Sequence, residues 1–309
     1  MNLKNKTTLV TGGAGIIGKE LINYLVKKSE KVICIDREER PAQISYLENY
    51  IKKDLNHMKE DEIININPDV IFHLAATFER TEETPGFWEK NYVDNIKQTQ
   101  YVLTSAKKCS NLKRFVFASS YLIYDENEYL FKNPQKKPIA LSESSPIGVR
   151  NITGASKYYT EQSLKYLGRY GNADFDSISA RIFRVYGKYS RDFLSRAIRD
   201  ALNGKEINLY KKEGIFDYVY AKDVAEGLLR LCESDLTGII NLGSGIGNSV
   251  EEAINIIKKE IPEIKINEVE NDILYESSVA DIKKLKKELS WKPETTLEKG
   301  LIEVINSEK

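Results

Sequence analysis

The sequence predicts an α/β protein built on a doubly wound parallel sheet, with a smaller C-terminal lobe. Three observations carry this expectation. The N-terminal half alternates short apolar runs with segments able to hold a helix, a glycine-rich turn joins the first run to the first helical stripe, and an aspartate closes the second run. Together these are the pattern of a Rossmann-type sheet.

The first strand is TTLVT (Thr7 to Thr11), and the following IIGKELINYLVKK sets Ile17, Leu21, Ile22 and Leu25 on one helical stripe. KVICID is the second strand. YIKKDL, DVIFHLAA and RFVFASS continue the rhythm, each with room for a helix before the next. Residues Phe87 to Cys109 form a long helical segment with Val93, Ile96, Val102 and Leu103 among its apolar positions. A second long helix runs from about Gly154 to Tyr170. Between them, ENEYLFKNPQKKPIALSESSP is rich in Pro, Lys and Ser and reads as a surface loop. Beyond residue 181 the pattern is less regular, with helices near Arg191 to Leu202, Val250 to Lys259 and Asp281 to Leu289. The expected division assigns residues 1–180 plus 215–240 to the sheet domain and 181–214 plus 241–309 to the second lobe.

A chain of 309 residues with 41% apolar content can bury a substantial core. Lys plus Arg equals Asp plus Glu at 46 each, with no block of basic residues, which argues against nucleic acid or an anionic membrane as partner. A small molecule is expected instead. No apolar signal core follows Met1 and no run reaches the roughly 18 apolar residues of a membrane span, so a cytoplasmic location is expected. Cys34, Cys109 and Cys232 are odd in number and lie in apolar stretches, as buried free thiols would. With only His57 and His73 available, neither a zinc site nor a His-based triad is expected.

TGGAGIIG supplies Gly12, Gly15 and Gly18, with Ile16 and Ile17 opening the helix. Gly12 permits the tight turn, Gly15 lets backbone approach a pyrophosphate, and Gly18 allows close packing of helix on strand. Asp36 follows at the end of the second strand, where a carboxylate binds the hydroxyls of an adenosine ribose. That carboxylate repels a 2'-phosphate and selects NAD. Arg37 beside it is the one residue that favours NADP.

TGxxGxxG, HLAA (His73 to Ala76), NIKQT (Asn95 to Thr99), ASSYLIY (Ala118 to Tyr124), GASK (Gly154 to Lys157), FDYVYAKDVAEGL, NLGSG and LSWKP resemble the extended short-chain dehydrogenase/reductase family acting on nucleotide sugars. The resemblance spans nearly the whole chain and implies NAD as cofactor. It implies that Asp54 and Leu55 meet the adenine, and that Leu74, Ala75, Ala76 and Asn95 line the cofactor groove. It further implies that Lys157 bonds the nicotinamide ribose and Ser120 the reacting sugar oxygen. The nucleotide sugar would lie between the sheet's carboxyl edge and the second lobe, and the protein would form a homo-oligomer, dimer or tetramer, through the helices bearing Asn95 and Lys157.

The chain departs from the family pattern in three ways. Thr153 stands where the family's Tyr-x-x-x-Lys motif has its tyrosine. A threonine hydroxyl is shorter than a phenol and lacks its pKa of about 10, which leaves Tyr121, Ser120 or water as proton carriers. Acid-base help is worth roughly 10²- to 10⁴-fold, whereas positioning supplies about 7–11 kcal/mol, so a slowed or differently assisted reaction is expected before a dead protein. Tyr121 and Leu122 replace the Asp-Glu pair of sugar 4,6-dehydratases, which disfavours elimination. Arg184 stands where the family usually has Asn, and Phe216 where it usually has Arg. Arg184 is thus the candidate for the diphosphate, with Arg80, Arg181 and Arg191 behind it.

The expected activity is NAD-dependent hydride transfer at sugar C4, as a dehydrogenase or ketoreductase, with a GDP-heptose C4 dehydrogenase of bacterial capsule synthesis as the narrower resemblance. A nucleotide-sugar 4-epimerase and a catalytically inactive NAD-binding scaffold or sensor are the alternatives. Neither base nor sugar is readable from the sequence.

Overall fold

The structure is a computed structural model describing residues 1–78 and 83–309. Arg80, a candidate phosphate ligand, lies outside the described residues.

In chain order the elements are β1 (Thr7–Thr11), α1 (Ile16–Leu25), β2 (Lys31–Asp36), β3 (Tyr50–Lys52), α2 (Glu60–Ile66), β4 (Val70–His73), α3 (Pro85–Asn91), α4 (Gln98–Lys108) and β5 (Arg114–Ser120). They continue with β6 (Leu130–Phe131), β7 (Ile139–Leu141), α5 (Ile152–Arg169), β8 (Asp176–Ile182), β9 (Arg184–Tyr186), α6 (Phe193–Leu202), β10 (Glu206–Leu209), β11 (Ile215–Tyr220), α7 (Ala221–Glu233) and β12 (Gly238–Leu242). The chain ends with β13 (Gly247–Ser249), α8 (Val250–Glu260), β14 (Lys265–Glu268), β15 (Tyr275–Ala280), α9 (Lys283–Leu289) and α10 (Leu297–Glu308).

The first of two compact units comprises Met1–Ile123, Ile147–Arg181 and Ala225–Ile240. Its seven-stranded sheet has the order β12-β8-β5-β4-β1-β2-β3. β1 pairs in parallel with β2 on one side and β4 on the other, so the chain reverses its direction of travel across the sheet between β1 and β4. In open α/β sheets that switch point opens a crevice beyond the strands' carboxyl ends. Leu9, Ile33, Ile71, Val102 and Phe115 form much of the core on one sheet face, and all are at most 5% exposed. The expected Rossmann-type fold is therefore the one observed.

The helical segment expected from Phe87 to Cys109 is α3 and α4 joined by a π-helical stretch, Tyr92–Lys97, that buries Asp94 and Asn95. Such stretches are rare in helices and often mark functional sites. The three cysteines are free and buried, as expected.

The second unit comprises Tyr124–Pro146, Ile182–Val224 and Asn241–Lys309. Here the structure differs from the expected division, because residues 124–146 and 215–224 belong with the C-terminal lobe. β15 explains the difference: it pairs with β6, β7 and β11, gathering three distant segments into one sheet. The expected surface loop at 126–146 thus contains two strands, too short to show a two-residue alternation. Leu194, Ile198, Tyr218, Ile254, Leu301 and Val304 lie in this unit's core.

Candidate functional site

The site begins where β1 ends. Gly12 has φ +76°, and a Cβ there would lie 2.5 Å from the Ala75 amide nitrogen, so the turn requires glycine on both conformational and steric grounds. A Cβ on Gly18 would lie 2.5 Å from the Gly12 carbonyl, which fixes the close approach of α1 to the turn. Exposed Gly15 is the N-cap of α1, with no side-chain cap and no acidic residue in the first turn. The amides at that end, with the positive pole of the helix, have no carboxylate from their own helix to satisfy them. Ile16 and Ile17 are half-buried behind them. This cradle fits a pyrophosphate.

At the end of β2 the Asp36 carboxylate accepts hydrogen bonds from the amides of Ala14 (2.9 Å) and Glu38 (3.0 Å), which tie it to the glycine loop. Arg37 turns away to an ion pair, its Nη1 donating to Asp94 at 2.9 Å. Lys90 donates to the same carboxylate at 2.5 Å. Burial opposes the charge on Asp94, but Lys90 and Arg37 hold its carboxyl below the usual range. Arg37 is therefore engaged by a carboxylate, which removes the argument for a 2'-phosphate. Asp54 caps a short 3₁₀ turn, accepting from Asn56 N at 2.9 Å. Leu55, expected to meet the adenine, is 4% exposed and packs in the sheet core.

Leu74, Ala75 and Ala76 follow β4 at the switch point, with the Leu74 amide donating to Thr11 O at 3.0 Å. Asn95 clamps the next residue from both sides: its Oδ1 accepts from Thr77 N at 2.7 Å and its Nδ2 donates to Thr77 O at 3.0 Å. It positions the loop wall. His73 is fully buried between Thr11 Oγ1 (2.7 Å) and Thr99 Oγ1 (2.9 Å). Burial, with a smaller contribution from Lys157, pushes its pKa down to about 3, so this histidine is a neutral core group.

Ser120 ends β5, half-buried, its Oγ accepting from the Leu122 amide at 3.2 Å. Tyr121 is 5% exposed in the 3₁₀ turn that follows. Beside this turn stands the start of α5. A Cβ on Gly154 would run into the Leu122 carbonyl, and Arg150 N donates to that same oxygen at 2.8 Å. The first turn of α5 thus lies directly on the segment after Ser120. One turn on, the Lys157 ammonium donates to Ala118 O at 2.7 Å and stands 4.8 Å over the Phe117 ring. Burial lowers its pKa to about 8. The helix that carries Thr153 and Lys157 thus packs on the end of β5, which carries Ser120, and on the turn that carries Tyr121.

Thr153 is 4% exposed, and its hydroxyl has no hydrogen-bond partner among the described residues. Asn151 caps the helix by accepting from Gly154 N at 2.8 Å. The Glu83 carboxylate reaches the same helix end, accepting from Ile152 N at 3.1 and 3.4 Å. Sequence reasoning missed Glu83, because nothing in the ERTEETPG run reveals that it meets a helix end 69 residues on.

Arg181, a minor phosphate candidate, is 2% exposed and bound through two nitrogens to Glu161, at 3.0 and 2.7 Å. Ser119 donates to Glu161 at 2.6 Å. This group is a buried ion pair within the sheet unit, and at 2% exposure Arg181 is out of a ligand's reach. In the second unit, Arg184 pairs with the buried Glu276 at 2.8 Å and stacks 4.0 Å over the Phe216 ring. The two positions singled out for their departures therefore meet each other, with Glu276 as the carboxylate that sequence reasoning missed. Arg191 is exposed just before α6.

A switch point in the sheet, a glycine cradle, an acidic residue ending β2 and a buried lysine on α5 reaching the end of β5 define a dinucleotide-dependent enzyme of the short-chain dehydrogenase/reductase type. Residues 8–243 match the NAD dependent epimerase/dehydratase family, and the chain belongs to it. NAD is therefore the dinucleotide of this site. The chain is 29% identical to UDP-glucuronic acid decarboxylase 6 of Arabidopsis thaliana, covering 96% of this chain and 87% of that protein. It is likewise 29% identical to a putative UDP-glucose 4-epimerase of Methanocaldococcus jannaschii, covering 96% and 97%. Among solved structures, MoeE5 in complex with UDP-glucuronic acid and NAD superposes with a TM-score of 0.83 at 25% identity, over 97% of this chain and 98% of that one. No helix among the described residues is long and apolar enough to cross a membrane.

Proposed function

We propose that this enzyme oxidises or reduces C4 of a nucleotide sugar, with NAD as the hydride partner, as a net dehydrogenase or ketoreductase. The observation that carries the reading is the Lys157 ammonium, buried on Ala118 O two residues before Ser120, beside a helix start that lacks the family's tyrosine. Ser120 orients the sugar oxygen, Lys157 holds the nicotinamide ribose and adds positive potential, and NAD supplies the hydride acceptor. Arg184 is the residue proposed for the diphosphate, where a phosphate would have to compete with Glu276 for the guanidinium.

A 4-epimerase is the second reading, favoured by the putative UDP-glucose 4-epimerase among the relatives. Net redox chemistry stands ahead of it because epimerisation needs proton transfer in both directions within one turnover, which the missing phenol hurts most. The exposed aromatics Trp88, Tyr92, Tyr166 and Tyr170 lie on α3, the π-helical stretch, α5 and the C-cap of α5, at 55–71% exposure, and support a homo-oligomer formed through these helices.

The test is absorbance at the NADH band with purified protein and a panel of UDP-glucose, UDP-glucuronic acid, GDP-mannose and a GDP-heptose. The GDP-heptose covers the narrower expectation, and the UDP sugars cover the chemistry named for the relatives. Ser120→Ala should lower turnover on the active sugar sharply while NAD binding is retained; unchanged turnover sinks the serine's role. Interconversion of the C4 epimers without NADH release would decide for the epimerase, and no reaction across the panel would favour the scaffold.

A further inference from the structure

Four serines and threonines lie along α5. Ser156 donates to Thr153 O at 2.8 Å, Thr160 to Ser156 O at 3.2 Å and Ser163 to Tyr159 O at 2.9 Å, each back to a carbonyl one turn earlier. Thr153 is the exception. It sits at the second helical position, where the residues a turn earlier are outside the helix and Val149 has φ +24°. Its hydroxyl is nonetheless buried and unpaired among the described residues. A buried hydroxyl without a partner is unfavourable, and such groups in native proteins are normally satisfied by water or ligand.

A second feature meets it there. The carboxylate of Glu83 arrives from before α3 and accepts from the amide of Ile152, the residue next to Thr153. Asn151 already caps this helix, so Glu83 brings to it a negative charge beyond the ordinary cap. A buried water needs two to four polar partners, and the helix start offers it two kinds: the unpaired Thr153 hydroxyl and the carboxylate bound to the adjacent Ile152 amide.

We propose that Thr153 Oγ1 and the Glu83 carboxylate hold a water that stands in for the absent phenol, with Glu83 as the final proton acceptor. The proposal rests on the redox reading above. In the oxidative direction the C4–H bond breaks and its hydride passes to NAD, while the C4 hydroxyl proton passes to the water oxygen and a proton of that water passes to Glu83. The C4 carbonyl forms, and Glu83 returns its proton to solvent. Reduction runs the same sequence backwards. Thr153 is the positioning residue and Glu83 acts through the water it shares with Thr153.

The test uses the full chain with NAD. Thr153→Val removes the hydroxyl at nearly constant volume, Thr153→Ser keeps it, and Glu83→Gln keeps an acceptor for Ile152 N but cannot take a proton. With the panel sugar that the wild type turns over, T153V and E83Q should slow single-turnover NADH formation by about 10²-fold or more, and T153S should stay within a few-fold. Independently of any sugar, T153V should unfold at a lower temperature than the wild type, because the water loses a partner. T153V turning over within about twofold of wild type, or melting at or above it, overturns the proposal. If the wild type reduces NAD with no panel sugar, the redox reading and the proton step fail together, while the melting comparison still decides whether the hydroxyl holds a water.

Discussion

Lys157→Met should change stability in a way that depends on pH, and the structure sets both the size and the sign. The Lys157 ammonium is 9% exposed, donating to Ala118 O with the Phe117 ring below it. Burial lowers its pKa from 10.5 to about 8. A difference of about 2.5, at about 1.4 kcal/mol per pH unit, makes charging this lysine in the folded protein cost about 3 kcal/mol. Below pH 8 both folded and unfolded chains carry the proton and the whole penalty is present. Between about pH 8 and 10.5 the unfolded chain binds a proton that the folded one has released, so this group's contribution to stability rises with pH. Above 10.5 the penalty is gone. K157M lacks it throughout and loses the bond to Ala118 at every pH. Its stability relative to the wild type, from urea unfolding at steps between pH 7 and 10.5, should therefore fall by about 3 kcal/mol as the pH rises. Cys34 and Cys232, which burial pushes up to about 12, titrate in both proteins and cancel in the comparison. A difference that stays constant across the range refutes the buried-ammonium argument.

Two further outcomes follow from the neighbouring charges. Glu161→Ala should destabilise the fold by about 3–5 kcal/mol, because it strands the Arg181 guanidinium in a site 2% exposed; adding Arg181→Met should recover most of the loss, and a double variant no better than the single one would refute the coupling. Arg37→Ala should leave the preference for NAD over NADP unchanged in binding titrations, since Arg37 is held by Asp94; a selective loss of NADP affinity would show that it reaches the ribose after all.

What the sequence revealed and what it hid separate along one physical line. Gly12, Gly18 and Asp36 were legible because each serves a backbone requirement set within a single strand-turn-helix unit. The approach of Lys157 to the end of β5 depends on a side-chain reach to Ala118 O that only the structure displays. Contacts that join distant segments by side chains alone were not legible: Glu83 on Ile152, Glu276 under Arg184 and Asp94 on Arg37 are 69, 92 and 57 residues apart. The two short strands at 130–131 and 139–141 were read as loop because they exist only through pairing with β15. The same holds for Arg181, whose long polar side chain suggested phosphate until its burial against Glu161 was seen.

Those hidden contacts bear on how a family member can lose its tyrosine. The first turn of α5 is held by four features, none of which needs a phenol: the Asn151 cap, the Glu83 carboxylate on Ile152, the Arg150 amide on Leu122 O, and the glycine at 154 that lets the helix rest on the turn after Ser120. This helix start is thus held in place without a phenol at position 153. Positioning supplies the larger share of the rate, so replacing the phenol removes the smaller term while the larger one is untouched. Restoring the phenol by Thr153→Tyr is then not a simple repair. The new ring would have to leave the buried position of Thr153, which is 4% exposed.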